Sequence, residues 1–264
     1  MLLHFKKLGN GPALIIIHGV YGNGDNWLQV ARYLQDKYTV YLPDMRNHGK
    51  SEHSNEFGYD IMAEDIYELI QHENLNEITI IGHSMGGRAA MRFAEKHDNM
   101  IKQLVVVDIS PITNLTKKRA RPLFQSHVDI VNSLLKMPIE SISTREEADA
   151  ILEKTLPFPD IRQFLLKNLK RDNNQKFYWQ INLPSIAETL EEIIVGNETM
   201  TTTVECQTLF IKGERSSYLT MGDIDFLEML FPNMQIETVK GAGHWVHVDK
   251  PEEFKQIITS FLPI

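Results

Sequence analysis

Short uninterrupted apolar runs alternate with amphipathic stretches along most of this chain. Ala13–Ile17, Tyr38–Leu42, Glu77–Ile81, Gln103–Val107, Gln207–Gly213 and Gln235–Val239 are β-prone segments of strand length. Several lack polar interruption, as expected of strands buried on both faces. Helical spacing falls between them. It runs from Trp27 to Leu34, through Ile61, Ile66, Leu69 and Ile70 behind a capping Asp60, and from about Asp223 to Leu230. A last helix starts at Pro251, a suitable first helical residue, and runs to about Phe261. Leu2–Leu8 reads as an edge strand, closed by the turn Gly9-Asn10-Gly11-Pro12. Strands alternating with helices predict a mainly parallel α/β sheet covered on both faces.

After Pro111 the pattern changes. From Ile112 to Thr203 the chain reads as amphipathic helices, clearest over Val128–Leu135, Glu146–Leu156 and Ile161–Leu169. No run there resembles a buried strand. The expectation is therefore one α/β core, 1–111 with 204–264, carrying an inserted helical cap, 112–203. No internal repeat or low-complexity linker divides it further.

One stretch joins this pattern to chemistry. The run ending at Ile81 leads into Gly82-His83-Ser84-Met85-Gly86-Gly87, and small residues then open a helix. A serine on a tight strand-to-helix turn needs small neighbours, and here Gly82 and Gly86 supply them, while Gly87 brings the helix close to the sheet. The turn exposes the hydroxyl beside a helix N-terminus, where negative charge is favoured. A serine nucleophile needs a general base. His244, in a small-residue loop after the last strand, is the candidate; His247 is expected to have a structural hydrogen-bonding role, and His18, His48 and His83 are read as structural. The orienting acid is expected in the loop after Leu209–Lys212, yet where a Gly-Asp-x-Asp motif would put its aspartate this chain has Ser216. Asp108, behind three valines at a strand end, is the preferred acid, because burying it demands hydrogen bonds. Glu214 is the runner-up, followed by Asp223 and Asp225. Either leading choice keeps the order serine, acid, histidine. The backbone N–H groups of Met85 and of Val20, in the loop after His18-Gly19, are the candidate oxyanion donors.

Composition narrows the function classes. A formal charge of −8 with no long basic block argues against nucleic-acid binding. A single cysteine, Cys206, excludes an internal disulfide framework and fits a reducing compartment. The N-terminus does not read as a signal peptide, and no apolar stretch is long enough for a membrane span, so a cytoplasmic location is expected. The histidines show no clustered ligand spacing, so no metal is expected. Lys117-Lys118-Arg119 with Arg121 reads as a solvated helix face, Asp44 and Arg46 as anchors of the loop after their strand, and Phe177–Leu183 as pocket lining or core.

Together these residues resemble the α/β-hydrolase superfamily from Leu14 to Phe261. Within it, Asp44-Met45-Arg46-Asn47-His48-Gly49-Lys50-Ser51, Gly82–Gly87, Val107-Asp108-Ile109-Ser110-Pro111 and Trp179-Gln180-Ile181-Asn182-Leu183 are similar to the small bacterial YbfF-type esterases and related mitochondrial abhydrolase-domain hydrolases. The resemblance implies cofactor-free hydrolysis of a small-molecule carboxylic ester or thioester by a Ser84–His244–Asp108 triad through an acyl-enzyme, with the acid after the earlier strand. A lyase or carbon–carbon bond hydrolase on the same triad is the alternative, as is a triad-bearing ligand receptor with slow turnover. Dehalogenase and epoxide hydrolase chemistry is disfavoured, because it needs an aspartate at position 84.

Overall fold

The computed structural model describes residues 1–111, 120–196 and 200–262. Along the first part of the chain lie β1 (Phe5–Leu8), β2 (Ala13–Ile17), α1 (Leu28–Leu34), β3 (Thr39–Pro43), α2 (Tyr59–His72), β4 (Ile78–His83), α3 (Met85–His97) and β5 (Ile101–Val107). Then follow α4 (Ala120–Leu135), α5 (Arg145–Glu153), α6 (Pro159–Leu166), β6 (Leu169–Arg171), β7 (Phe177–Trp179), α7 (Leu183–Glu188) and α8 (Leu190–Val195). The chain closes with β8 (Gln207–Gly213), α9 (Ile224–Leu230), β9 (Met234–Val239), α10 (Val246–Asp249) and α11 (Pro251–Phe261).

Seven strands form one sheet in the order β1-β3-β2-β4-β5-β8-β9, parallel except for the edge strand β1. Its register explains the unbroken apolar runs. Ile16, Ile81, Val105 and Leu209 form one cross-strand row and face α1 and α11, packing with Trp27, Leu34 and Phe254. Their neighbours Ile15, Ile80 and Leu104 form the adjacent row and face Ile66 and Phe93 on the other side. Successive side chains alternate between two apolar layers, so the central positions of these strands are apolar on both faces.

The segment between β5 and β8 departs from the expected all-helical pattern. Leu169–Arg171 pairs antiparallel with Phe177–Trp179, so the predicted helix over Ile161–Leu169 ends at Leu166. Gln175, at positive φ, turns this hairpin. Three residues per strand are too few for a period-two signal to show in the sequence. Asp60 is also not the cap of α2. Gly58 takes the N-cap position, and Asp60 in the first turn pairs with Arg92 across to α3. Residues 117–119 of the basic stretch lie outside the described residues, while Arg121 is exposed. Among the described residues no helix is long and apolar enough to cross a membrane.

Candidate active site

Ser84 sits between β4 and α3 with φ 54° and ψ −119°, a conformation that L-residues rarely adopt. Tight packing holds it there. A Cβ on Gly82 would lie 2.4 Å from Gly86 O, and one on Gly86 would lie 2.5 Å from His18 O. A Cβ on Gly87 would meet Ile109 Cγ2 at 2.7 Å. The Ser84 amide donates to Val107 O on the neighbouring strand. The turn thus projects the side chain beyond the carboxyl edge of the sheet.

Asp108 follows β5 at the same edge, also at positive φ and wholly buried. Its carboxylate collects three donors. Gly213 N–H donates to Oδ1 at 2.9 Å, Ser216 O–H donates to Oδ2, and His244 Nδ1–H donates to Oδ2 at 2.8 Å. Burial pushes the Asp108 carboxyl up to about 7, a rise that the Ser216 and Gly213 donors only partly offset. Burial also lowers the His244 pKa, which keeps the imidazole neutral. Ser216, standing where the commoner motif has an aspartate, donates to the Asp108 carboxylate. Glu214 turns outward and accepts from Gly241 N–H at 2.8 Å, while Asp223 caps a turn through Thr220. Asp225 lies in the first turn of α9.

Ser84 and His244 line the same cavity, of about 360 Å³, with no direct hydrogen bond between hydroxyl and imidazole. Such bonds are commonly loose in unliganded enzymes. The histidine before the serine ties the two loops together, since His83 Nε2–H donates to His244 O at 2.9 Å. Burial depresses the His83 pKa, as does the neighbouring His244.

The loop after β2 is fixed by a second histidine. Met45 N–H donates to His18 Nε2 at 2.9 Å, which leaves the ring hydrogen on Nδ1, and that group donates to Gly19 O at 2.8 Å. Gly22 N–H donates to the same oxygen at 3.0 Å. Gly19 C=O and Val20 N–H belong to one planar peptide and point oppositely, so anchoring the oxygen also sets the N–H. Among the described residues neither the Val20 nor the Met85 amide has a hydrogen-bond partner.

The other histidines divide by role. His48 accepts from Tyr21 N–H and donates to Arg46 O, and burial holds its pKa at about 3. His247 corrects the expectation of hydrogen bonding: among the described residues its Nδ1 has no partner, and the ring stacks on Trp27 at 4.0 Å. Asp44 anchors its loop by accepting from Gly24 and Lys50 N–H, and Arg46 forms a buried two-bond pair with Asp65.

Of the two readings of Phe177–Leu183, core holds for part of the segment and lining of the Ser84 cavity does not. Leu183 and Ile181 are core, whereas Phe177, Tyr178 and Gln180 border a separate open groove of about 750 Å³ that contains neither Ser84 nor His244. The cavity wall comes instead from Ile130 on α4, Ile161 and Phe164 on α6, Phe158, and Trp245 beside the histidine. Sequence reasoning missed these, and also Tyr218, whose ring stacks on the His244 imidazole at 3.7 Å and 17°. Helical periodicity marks the buried stripe of a helix but not which of its residues face a void. Among the described residues no group of side chains is arranged to hold a metal ion.

Residues 12–131 match the family model described as alpha/beta hydrolase fold. The chain is 37% identical to the sn-1-specific diacylglycerol lipase ABHD11 of Danio rerio, over 98% of this chain and 80% of that protein. It is 30% identical to the esterase YbfF of Escherichia coli, over 96% of this chain and 94% of that protein. A solved structure titled marine microorganism esterase superposes with a TM-score of 0.94 at 40% identity, over 99% of each chain. The chain belongs to the α/β-hydrolase family, and these relatives are named as esterases and lipases.

Proposed function

We propose that this protein is a carboxylic ester hydrolase that works through an acyl-enzyme on Ser84. In this reading His244 takes the Ser84 proton as the hydroxyl attacks the ester carbonyl, and Asp108 holds the imidazole in the Nδ1–H tautomer and stabilises its charged form. The Val20 and Met85 N–H groups receive the oxyanion; their lack of other partners and the position of Met85 at the start of α3 support this. His244 then returns the proton to the leaving alcohol, and water cleaves the acyl-enzyme with the same base. The segment 112–203 acts as the lid, lending α4 and α6 side chains to the acyl site.

The observation that carries the proposal is the His244 Nδ1–Asp108 Oδ2 bond at 2.8 Å in a cavity that Ser84 shares. The test is Ser84→Ala on a panel of p-nitrophenyl ester and thioester substrates of graded acyl length. Turnover is expected to fall by about a million-fold, the loss that deleting such a nucleophile brings. A fluorophosphonate probe is expected to label Ser84 in the wild type alone. Undiminished turnover in Ser84→Ala would rule the mechanism out.

A further inference from the structure

Three polar side chains of the Ser84 cavity form a chain of their own. Tyr21 Oη lies 3.3 Å from His127 Nδ1, and His127 Nε2 lies 2.7 Å from Tyr218 Oη. They arrive from the loop after β2, from α4 and from the loop after β8, and all three line the cavity. Burial raises both phenol pKa values and lowers that of the imidazole to about 3. At neutral pH each phenol therefore keeps its O–H and the imidazole carries one N–H.

Three hydrogens then serve two links. With the ring hydrogen on Nδ1, His127 donates to Tyr21 and accepts from Tyr218, and the Tyr21 hydrogen is left over. With it on Nε2, the Tyr218 hydrogen is left over. Whichever tautomer holds, one hydroxyl hydrogen has no acceptor among the described residues. A buried donor without an acceptor is costly, so this arrangement suits a ligand that supplies the missing oxygen. The lining also limits that ligand's charge. Among the described residues no lysine or arginine lines the cavity, so a carboxylate there would lose its hydration with no cation to replace it.

We propose that the Tyr21–His127–Tyr218 chain gives one hydroxyl donor to an uncharged oxygen of the substrate. The preferred substrates are then esters that carry a keto, ether or second ester oxygen besides the ester that Ser84 attacks. This rests on the Ser84 hydrolase reading above.

Matched ester pairs test it, differing by one distal oxygen. One pair is p-nitrophenyl hexanoate and 5-oxohexanoate, which vary the acyl arm. The other is the butyl and 2-methoxyethyl esters of one acid, which vary the alcohol arm. The oxygen-bearing member of at least one pair is expected to show a fivefold or greater advantage in kcat/KM. That ratio should fall to less than half in Tyr21→Phe or in Tyr218→Phe, because whichever of the two hydroxyls carries the spare hydrogen is then lost while its ring is kept. Ratios below fivefold in both pairs, or a ratio that both variants keep above half its wild-type value, would overturn the proposal. A failure of the hydrolase reading looks different: no ester is turned over, and the fluorophosphonate leaves Ser84 unlabelled.

Discussion

Asp108 and Glu214 are both carboxylates in reach of the β8 region, and their surroundings separate them. Asp108 is wholly buried and accepts from Gly213, Ser216 and His244. Glu214 is exposed, and its carboxylate accepts from the Gly241 amide. With Asp108 as the orienting acid, Asp108→Asn should lower kcat by about 10⁴-fold, since an amide no longer fixes the productive imidazole tautomer. Glu214→Gln should leave kcat within about twofold, because a surface change away from the site perturbs little. Steady-state kinetics on one p-nitrophenyl ester decides between them, and a larger loss from Glu214→Gln would move the acid there. The preference for Asp108 was legible in the sequence through the cost of burying a carboxylate after three valines. The role of Ser216 was not, because a hydroxyl in a loop signals no partner until β5 and β8 are set side by side.

The elements around the proposed nucleophile are tied together by α3. Arg88, one turn into that helix and buried, donates from Nε to Ser110 O at 3.0 Å and from Nη1 to Ile193 O and Ile194 O. One guanidinium thereby joins the stretch just after β5 to the end of α8. Arg88→Met keeps the length of the side chain and removes the donors, stranding the Ser110 and Ile194 carbonyls at about 1–3 kcal/mol each, while Ile193 O keeps the Tyr59 O–H. A loss of about 2–4 kcal/mol in urea unfolding is expected, together with faster proteolytic nicking within 112–203; an unchanged urea midpoint contradicts this account. Sequence periodicity located α1 and α2 because their apolar residues recur at helical spacing, while the small residues after Ser84 and Pro251 marked the starts of α3 and α11. It did not show the β6–β7 hairpin, whose strands are stabilised by pairing with each other rather than by any stripe of their own.

Across the whole molecule, protons bear on stability through buried histidines. Burial lowers the pKa of His48 and of His127 to about 3, and it lowers those of His18 and His83 as well. In the unfolded chain these rings titrate near 6.5, so below that pH the unfolded state takes up protons that the native state refuses. Stability from these groups is full above pH 6.5 and is lost progressively as pH falls from 6.5 toward 3. Urea midpoints should therefore decline already between pH 6.5 and 5, above the range in which ordinary carboxylates titrate; a flat midpoint over that window would refute this.

At this scale the division of information is physical. Unbroken apolar runs, helical stripes and the Gly82–Gly87 turn are local patterns, and one sequence displays them because the sheet's two-sided burial and the turn's steric limits act on neighbouring residues. From them the α/β order, the position of Ser84 and the candidacy of Asp108, His244, Val20 and Met85 could be read. What lies around Ser84 depends on segments far apart in the chain: α4 and α6 supply the cavity wall, and Tyr218 reaches His244 from another loop. Such contacts are set by how the pieces pack, and periodicity carries no record of which buried face meets a cavity. The Tyr21–His127–Tyr218 chain spans 197 positions of sequence and exists only in the fold.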